Sequence, residues 1–398
     1  MIRFLPSQEV VIQEAVNHIK FGNEQILQIS GDPGTGKTTI MLEIIKRIGI
    51  PLERIAPMAF IGQAAINMRY KGLWNAKTIH SWLYEVVEVP VYDEHGNIVM
   101  DPVFNKPMTR FDFFPRDLRN IDYFIIDEGS TVPWSMKKDI ESRGKKIIVM
   151  GDLNQLPPVE DDPAYLTSGR ILRLTEVMRQ AQGSEIVKLA KFVLAGQIPS
   201  PGLYGNVLVI ERDQLNDRMM LAAQTILCGK NKTRDQINDH MRRLLGYHTN
   251  LPMVGEKIIC RKNNWMIESD GISLANGLSG IVTAGPDIYK FDGKKFTIDF
   301  RPNFTEIIFP NVECDYKYFI APREEKEFLK NSKYSIGNKF EYAYGTTTHL
   351  AQGAQYSNGI YISEFLNREI QARLNYTGVT RFKNYMIYVI PNMHPKYY

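Results

Sequence analysis

Cysteine is scarce in this chain: Cys228, Cys260 and Cys314 are the only three in 398 residues, and they lie too far apart for a metal knuckle or a disulfide framework. A reducing compartment suits such a chain. The expectation is a cytoplasmic protein, of the host cytoplasm if the source is viral. Long apolar runs are missing too. None reaches the ~20 residues of a membrane span, and residues 1–20 show no signal-peptide pattern, so the pattern excludes a helical membrane protein. There is no internal repeat of roughly 20–50 residues and no low-complexity tract, which argues against a solenoid or a disordered tail. Charge of one sign is in short supply. Lys+Arg number 48 against 44 Asp+Glu, a net +4, which demonstrates no polyanion partner but permits one if the basic side chains share a face. What remains is a globular composition long enough for two or three domains.

The chemistry is concentrated in short stretches. ILQIS (26–30), GDPGTGKTT (31–39) and the helical run that follows form a complete strand–GxxxxGK[ST]–helix P-loop. Gly31, Gly34 and Gly36 let the backbone curl so that successive N–H groups, with those of Thr35 and Thr39, face phosphate oxygens. The helix opening near Lys37 adds its positive end. Lys37 is expected to reach the β/γ-phosphates and Thr38 to ligate Mg²⁺. YFIIDEGS (123–130) ends a strand in two carboxylates. Asp127 is placed to hold the metal through water and Glu128 to act as general base on an attacking water, which favours hydrolysis over transfer to a small substrate. Such a pair also suits a helix start, with Ser130 as cap. A third strand leads into GDLNQLPPV (151–159), where Pro157 and Pro158 stiffen the loop behind Gln155. In a parallel sheet the strand tips converge on one crevice, which would bring Gln155 beside the terminal phosphate.

Together these motifs resemble those of the superfamily-1 DNA helicases, in the RecD-like 5′→3′ branch that includes the phage Dda helicase. Further stretches extend the resemblance in family order: LPSQ (5–8), TIHSWL (78–83), LTEVMRQ (174–180), YGTTTHLAQG (344–353) and YTGVTR (376–381). By that resemblance Gln8 reads adenine (Gln13 competes for the role), Arg179 carries a charge to the γ-phosphate, and Arg381 is an arginine finger. Thr78, His80, Thr348 and His349 are the implied DNA-backbone contacts. His80 and His349 fit equally well as structural histidines, and Arg381 also suits a cation at a helix end. The sequence departs from the family at Leu350, where Lys is usual, and in APMAFIGQAA (56–65), which is stretched.

The resemblance implies an α/β protein of two RecA-like parallel-sheet P-loop domains. The first takes residues 1–85 and 115–172, with a hairpin wedge inserted at 86–114. The second takes 173–251 and 341–398, with an SH3-like β-barrel inserted at 252–340. Alternating strand and helix patterns, including KFEYAY (339–344), GIYIS (359–363) and MIYVI (386–390), agree with a second parallel sheet. Phe104, Phe111, Phe113 and Phe114 are candidates either to stack on a terminal base pair or to pack the hairpin. Trp74, Trp82 and Trp265 are candidates for base stacking or for core. The expected function is ATP- and Mg²⁺-dependent translocation on single-stranded DNA and unwinding of forked DNA by a monomer, with a single-stranded-DNA-binding protein or other replication proteins as partners. The alternatives are a DNA-independent NTPase switch or nucleotide kinase, and a translocase subunit without strand separation. No further carboxylate cluster supports a nuclease.

Overall fold

The computed structural model describes residues 4–100, 107–158, 161–176, 184–331, 337–366 and 368–391, so Phe104 and Arg179 lie outside the described residues. In the first lobe six parallel strands run in the spatial order Lys77–Thr78, Ile55–Ala59, Tyr123–Asp127, Lys146–Gly151, Ile26–Gly31, Ile171–Leu174. Parallel strands covered on both faces carry apolar residues throughout, which is why IIVMG shows no polar alternation. Successive side chains serve opposite cores. Ile125, Ile148 and Met150 pack with the helices Pro6–Phe21 and Lys37–Ile48, whereas Phe124, Ile126, Ile147 and Val149 pack with Ile79–Leu83 and Trp134–Glu141.

The second lobe repeats the plan. Its order is Gly345–Thr347, Ile226–Cys228, Tyr356–Ile362, Phe382–Val389, Val207–Ile210, Gly202–Tyr204, parallel except for the last strand. The helices Glu185–Leu194 and Arg368–Val379 cover one face and Asp217–Ala222 and Asn231–Leu244 the other.

Two insertions interrupt the lobes. Tyr84–Pro90 and Thr109–Pro115 pair as an antiparallel hairpin. Beyond it, the Asp93 carboxylate accepts from the backbone N–H groups of His95 and Asn97, closing a turn around Gly96. The other insertion is a five-stranded antiparallel sheet in the order Phe309–Asp315, Lys295–Pro302, Ser279–Ala284, Lys257–Cys260, Phe340–Tyr342. Its two edges curl together, since Asp315 N donates to Asn338 O (3.0 Å) and Asn338 N to Glu313 O (2.8 Å).

Two local expectations change here. KFEYAY does not join the second parallel sheet: Phe340–Tyr342 pairs with Lys257–Cys260, and the lobe's strand is Gly345–Thr347. YKYFI (316–320), a run that reads as β-like in sequence, is a short helix, because the Asp315 carboxylate caps it by accepting from Tyr318 N. Among the described residues no helix is long and apolar enough to cross a membrane.

Candidate active site between the two lobes

The P-loop strand ends at Gly31 and its helix begins at Lys37. Between them Gly34 (φ 81°) and Gly36 (φ 83°) adopt the left-handed region, which costs other residues more than glycine. The loop opens on a cavity of about 400 Å³, lined from the first lobe by Gly34, Gly36, Lys37, Thr38, Thr39, Asp127, Glu128 and Gln155, and from the second by Thr380 and Arg381. The volume falls in the ordinary range for small-molecule sites. Lys37 Nζ donates to Gly31 O and, at 3.4 Å, to Asp32 O, so its ammonium folds over the loop. Gly31 and Thr35 support the loop from behind: Thr35 is fully buried and its hydroxyl donates to Asp32 O (2.7 Å). Gln8 is buried against the same loop. Its Nε2 donates to Thr35 O (2.9 Å) and its Oε1 accepts from Leu5 N (2.9 Å), and it is not part of the cavity lining.

Glu128 holds a left-handed backbone (φ 52°), a conformation that a non-glycine residue keeps only where its surroundings impose it. Its carboxyl pKa is raised. Burial is the main cause, Asp127 and Asp152 add to it, and Arg381 and Lys37 oppose it. Asp127 Oδ1 accepts from Glu128 N (2.9 Å).

Gln155 and Arg381 meet at this carboxylate. Both are nearly buried, with 3% and 4% exposure, so neither is a surface side chain. In the amide orientation that satisfies both neighbours, Gln155 donates to Glu128 Oε2 and accepts from Arg381 Nη2, each at 3.2 Å. Arg381 Nη1 is 3.9 Å from Glu128 Oε1. Arg381 also closes its own helix, Nε donating to Thr377 O (3.1 Å), so the helix-end role and the cleft-facing role coexist in one guanidinium.

The stiff loop behind Gln155 is tied to the second lobe. Tyr376 Oη donates to Asp152 Oδ2 (2.7 Å), Leu156 N to Thr377 Oγ1 (3.0 Å), and Gln352 Nε2 to Leu156 O (2.8 Å), all among buried atoms. Asp152, Tyr376 and Thr377 were not singled out from sequence, although each lies inside a recognised stretch. Lys71 and Lys383 also line the cavity and belong to no motif that would have drawn attention to them.

The implied DNA contacts divide. Thr78 caps the helix Ile79–Leu83, its hydroxyl accepting from Ser81 N (3.2 Å), and Thr348 is fully buried with its hydroxyl donating to Cys228 O (3.2 Å). Both hydroxyls serve the fold rather than a surface, because threonine satisfies a helix start or a strand end as readily as a phosphate. His80 and His349 are half-buried, and burial pushes both imidazole pKa values down, toward the neutral form. His80 sits in an aromatic cluster with Trp265 of the second insertion (5.2 Å between centroids), Phe60, Tyr84 and Phe113. Phe113 therefore touches this cluster yet stays 43% exposed, Phe114 is about half exposed and Phe111 half-buried. Trp82 is fixed by its Nε1 on Pro57 O, and Trp74 is exposed.

Residues 13–161 match the family described as an AAA domain. Over 394 residues the chain is 22% identical to the ATP-dependent RecD2 DNA helicase of Deinococcus radiodurans, covering 92% of this chain and 47% of that protein. Among solved structures, the fold resembles the Pif1 helicase of Candida albicans (TM-score 0.56, 17% identity, 99% of this chain and 95% of that one). It also resembles Bacteroides Pif1 bound to single-stranded DNA (TM-score 0.55, 16% identity, 98% and 92%). The chain spans at most about half the length of the first curated relatives it matches, from 15% to 47%.

Proposed function

We propose that this chain, which has the motif order and the two-lobe fold of the RecD-like and Pif1-like superfamily-1 helicases, is an ATP-driven helicase and translocase on single-stranded DNA. One observation carries the reading: Lys37 of the first lobe and Arg381 of the second line a single cavity, with Gln155 bonded to both Glu128 and Arg381 across the seam. A terminal phosphate between them would be touched by both lobes, so its loss changes what holds them together. Lys37 and the P-loop N–H groups bind the β- and γ-phosphates. Thr38 and Asp127 line the cavity together, and a hydroxyl with one carboxylate suits Mg²⁺, which takes its other ligands from phosphate and water. When bound, the metal neutralises phosphate charge. Glu128 orients water and accepts its proton, a task its raised pKa fits, and Arg381 stabilises charge on the transferring group. Arg179 is proposed as a second γ-phosphate cation on motif resemblance alone, and Gln8 as the adenine reader on the same basis.

Single-stranded DNA is proposed to cross both lobes, past His80 and His349, toward a fork split by the hairpin; Thr78 and Thr348 would act there as supports. That a solved protein of similar fold binds single-stranded DNA supports DNA as the ligand. The RecD-like resemblance supports 5′→3′ travel.

Hydrolysis should be measured with and without single-stranded DNA, in the wild-type chain and in Lys37→Ala. Strong stimulation by DNA and its loss in the variant are expected. DNA-indifferent turnover would favour an NTPase switch or nucleotide kinase, and retained turnover in Lys37→Ala would remove the cradle. Duplexes with a single 5′ or 3′ tail then decide polarity, and unwinding of the 3′-tailed substrate alone would overturn the branch assignment.

A further inference from the structure

The cavity holds a cation that the motif chemistry leaves without a task. Lys71 follows the helix Gly62–Tyr70, and its backbone is fixed there, its N–H donating to Asn67 O (3.2 Å). The side chain turns into the site, where Nζ donates to Thr38 Oγ1 at 2.9 Å. That hydroxyl belongs to the residue after the P-loop lysine, and it is the oxygen proposed above for the metal. Lys71 is half-buried, and among the described residues no carboxylate lies within ion-pair distance of it, although Asp127 and Glu128 line the same cavity. From the other lobe, Lys383 lines the cavity two residues beyond Arg381. Burial lowers the Lys383 pKa and the charge on Lys71 lowers it further, so the two ammonium groups feel each other across the cleft.

We propose that Lys71 is a further phosphate-binding residue, a second ammonium from the first lobe directed at the terminal phosphate of a nucleoside triphosphate. A metal ion and the Lys71 ammonium on the one Thr38 oxygen would repel each other. With a metal ion held by that hydroxyl the ammonium would need another acceptor in the cavity, and phosphate oxygens of the nucleotide would supply one. Its flexible stem permits the short move while the helix end stays in place. Two cations facing each other from opposite lobes are then neutralised by one polyanion, which favours the arrangement in which the lobes meet. The inference rests on the nucleotide reading of the cleft and adds a residue that discriminates triphosphate from diphosphate.

Equilibrium binding of a non-hydrolysable ATP analogue and of ADP, each with Mg²⁺, tests it in the full chain, in Lys71→Gln and in Lys71→Arg. Lys71→Gln is expected to weaken the triphosphate analogue about tenfold, the effect of one charge-assisted hydrogen bond, and ADP less than about twofold. Lys71→Arg should recover most of the triphosphate affinity. Unchanged thermal unfolding of both variants separates this outcome from a folding defect. Equal weakening of both nucleotides would mean that Lys71 only supports Thr38, and unchanged affinity would mean that it touches neither; each overturns the proposal. A wild-type chain that binds neither nucleotide overturns the cleft reading as well, so the two failures are distinct.

Discussion

The two lobes lay six strands in matching spatial positions, yet they part company at the fifth. In the first lobe that strand is Ile26–Gly31, and it runs into a glycine-rich loop and a helix whose N-terminal groups face the cavity. In the second it is Val207–Ile210, and it runs into Glu211, which starts a single tight turn with its N–H donating to Gln214 Oε1 (2.8 Å). An acid and a short turn cannot cradle phosphate, since the first repels it and the second leaves few N–H groups to point at it. The second lobe does gather an anion elsewhere, but an internal one. After Ile226–Cys228, the Glu364 carboxylate accepts from Gly229 N (2.9 Å), Lys230 N (2.8 Å) and the Thr233 hydroxyl. In the proposed reading one lobe therefore holds the nucleotide and the other responds to it, and the shared architecture alone does not say which is which.

The largest effect expected from breaking this division comes at Arg381, the second lobe's proposed contribution to the first lobe's chemistry. Arg381→Ala should leave nucleotide affinity nearly intact and lower kcat by about 10³-fold or more. Single-turnover hydrolysis measures this, and an unchanged rate would make Arg381 only a helix-end residue. A second test sharpens the link through Glu128. Because its carboxyl pKa is raised, the protonated, inactive base persists to higher pH than for an ordinary glutamate. The rate of hydrolysis should thus fall on acidification with a midpoint above the usual carboxylate range, and removing Arg381, which opposes the rise, should move that midpoint higher still. A midpoint in the ordinary range, unmoved by the variant, would detach Glu128 from the second lobe. The smallest effect concerns the internal anion. Glu364→Gln should lower stability by about 1–3 kcal/mol, the worth of charge-assisted hydrogen bonds, while ATP affinity at the first lobe is unchanged. Chemical denaturation and nucleotide titration report the two halves of that outcome separately.

How much of this could be read from residues depended on how local the chemistry is. The phosphate loop and the Asp127-Glu128 strand end are contiguous, and a few neighbouring residues define them. Gln155 is expected beside the phosphate because parallel strand tips converge there, and Arg381 is expected there by its motif, but the bond between them joins positions more than two hundred residues apart and neither motif announces it. Lys71 and the Asp152–Tyr376 contact were invisible for the same reason: an ammonium at a helix end or a tyrosine in a helix reads as ordinary until the lobes come together. Thr78 and Thr348 show the reverse problem. A hydroxyl in a family stretch suggested DNA, while the local need of a helix start and a strand end claimed it first. KFEYAY has strand character, but which sheet it joins depends on a partner strand some eighty residues earlier.

The hairpin ladder from Tyr84 to Pro90 is only two strands wide, and a ribbon of that kind offers its outer edges to any other extended chain. Pro90 ends one strand and Pro115 the other, each deleting a backbone donor from an edge, and Glu85, Glu88, Arg110 and Asp112 place charge along the ribbon between them. A hairpin built this way resists sticking to its copies and joining intermolecular sheets as the chain folds in a crowded cell. Replacing its prolines with valine would trade that protection for aggregation.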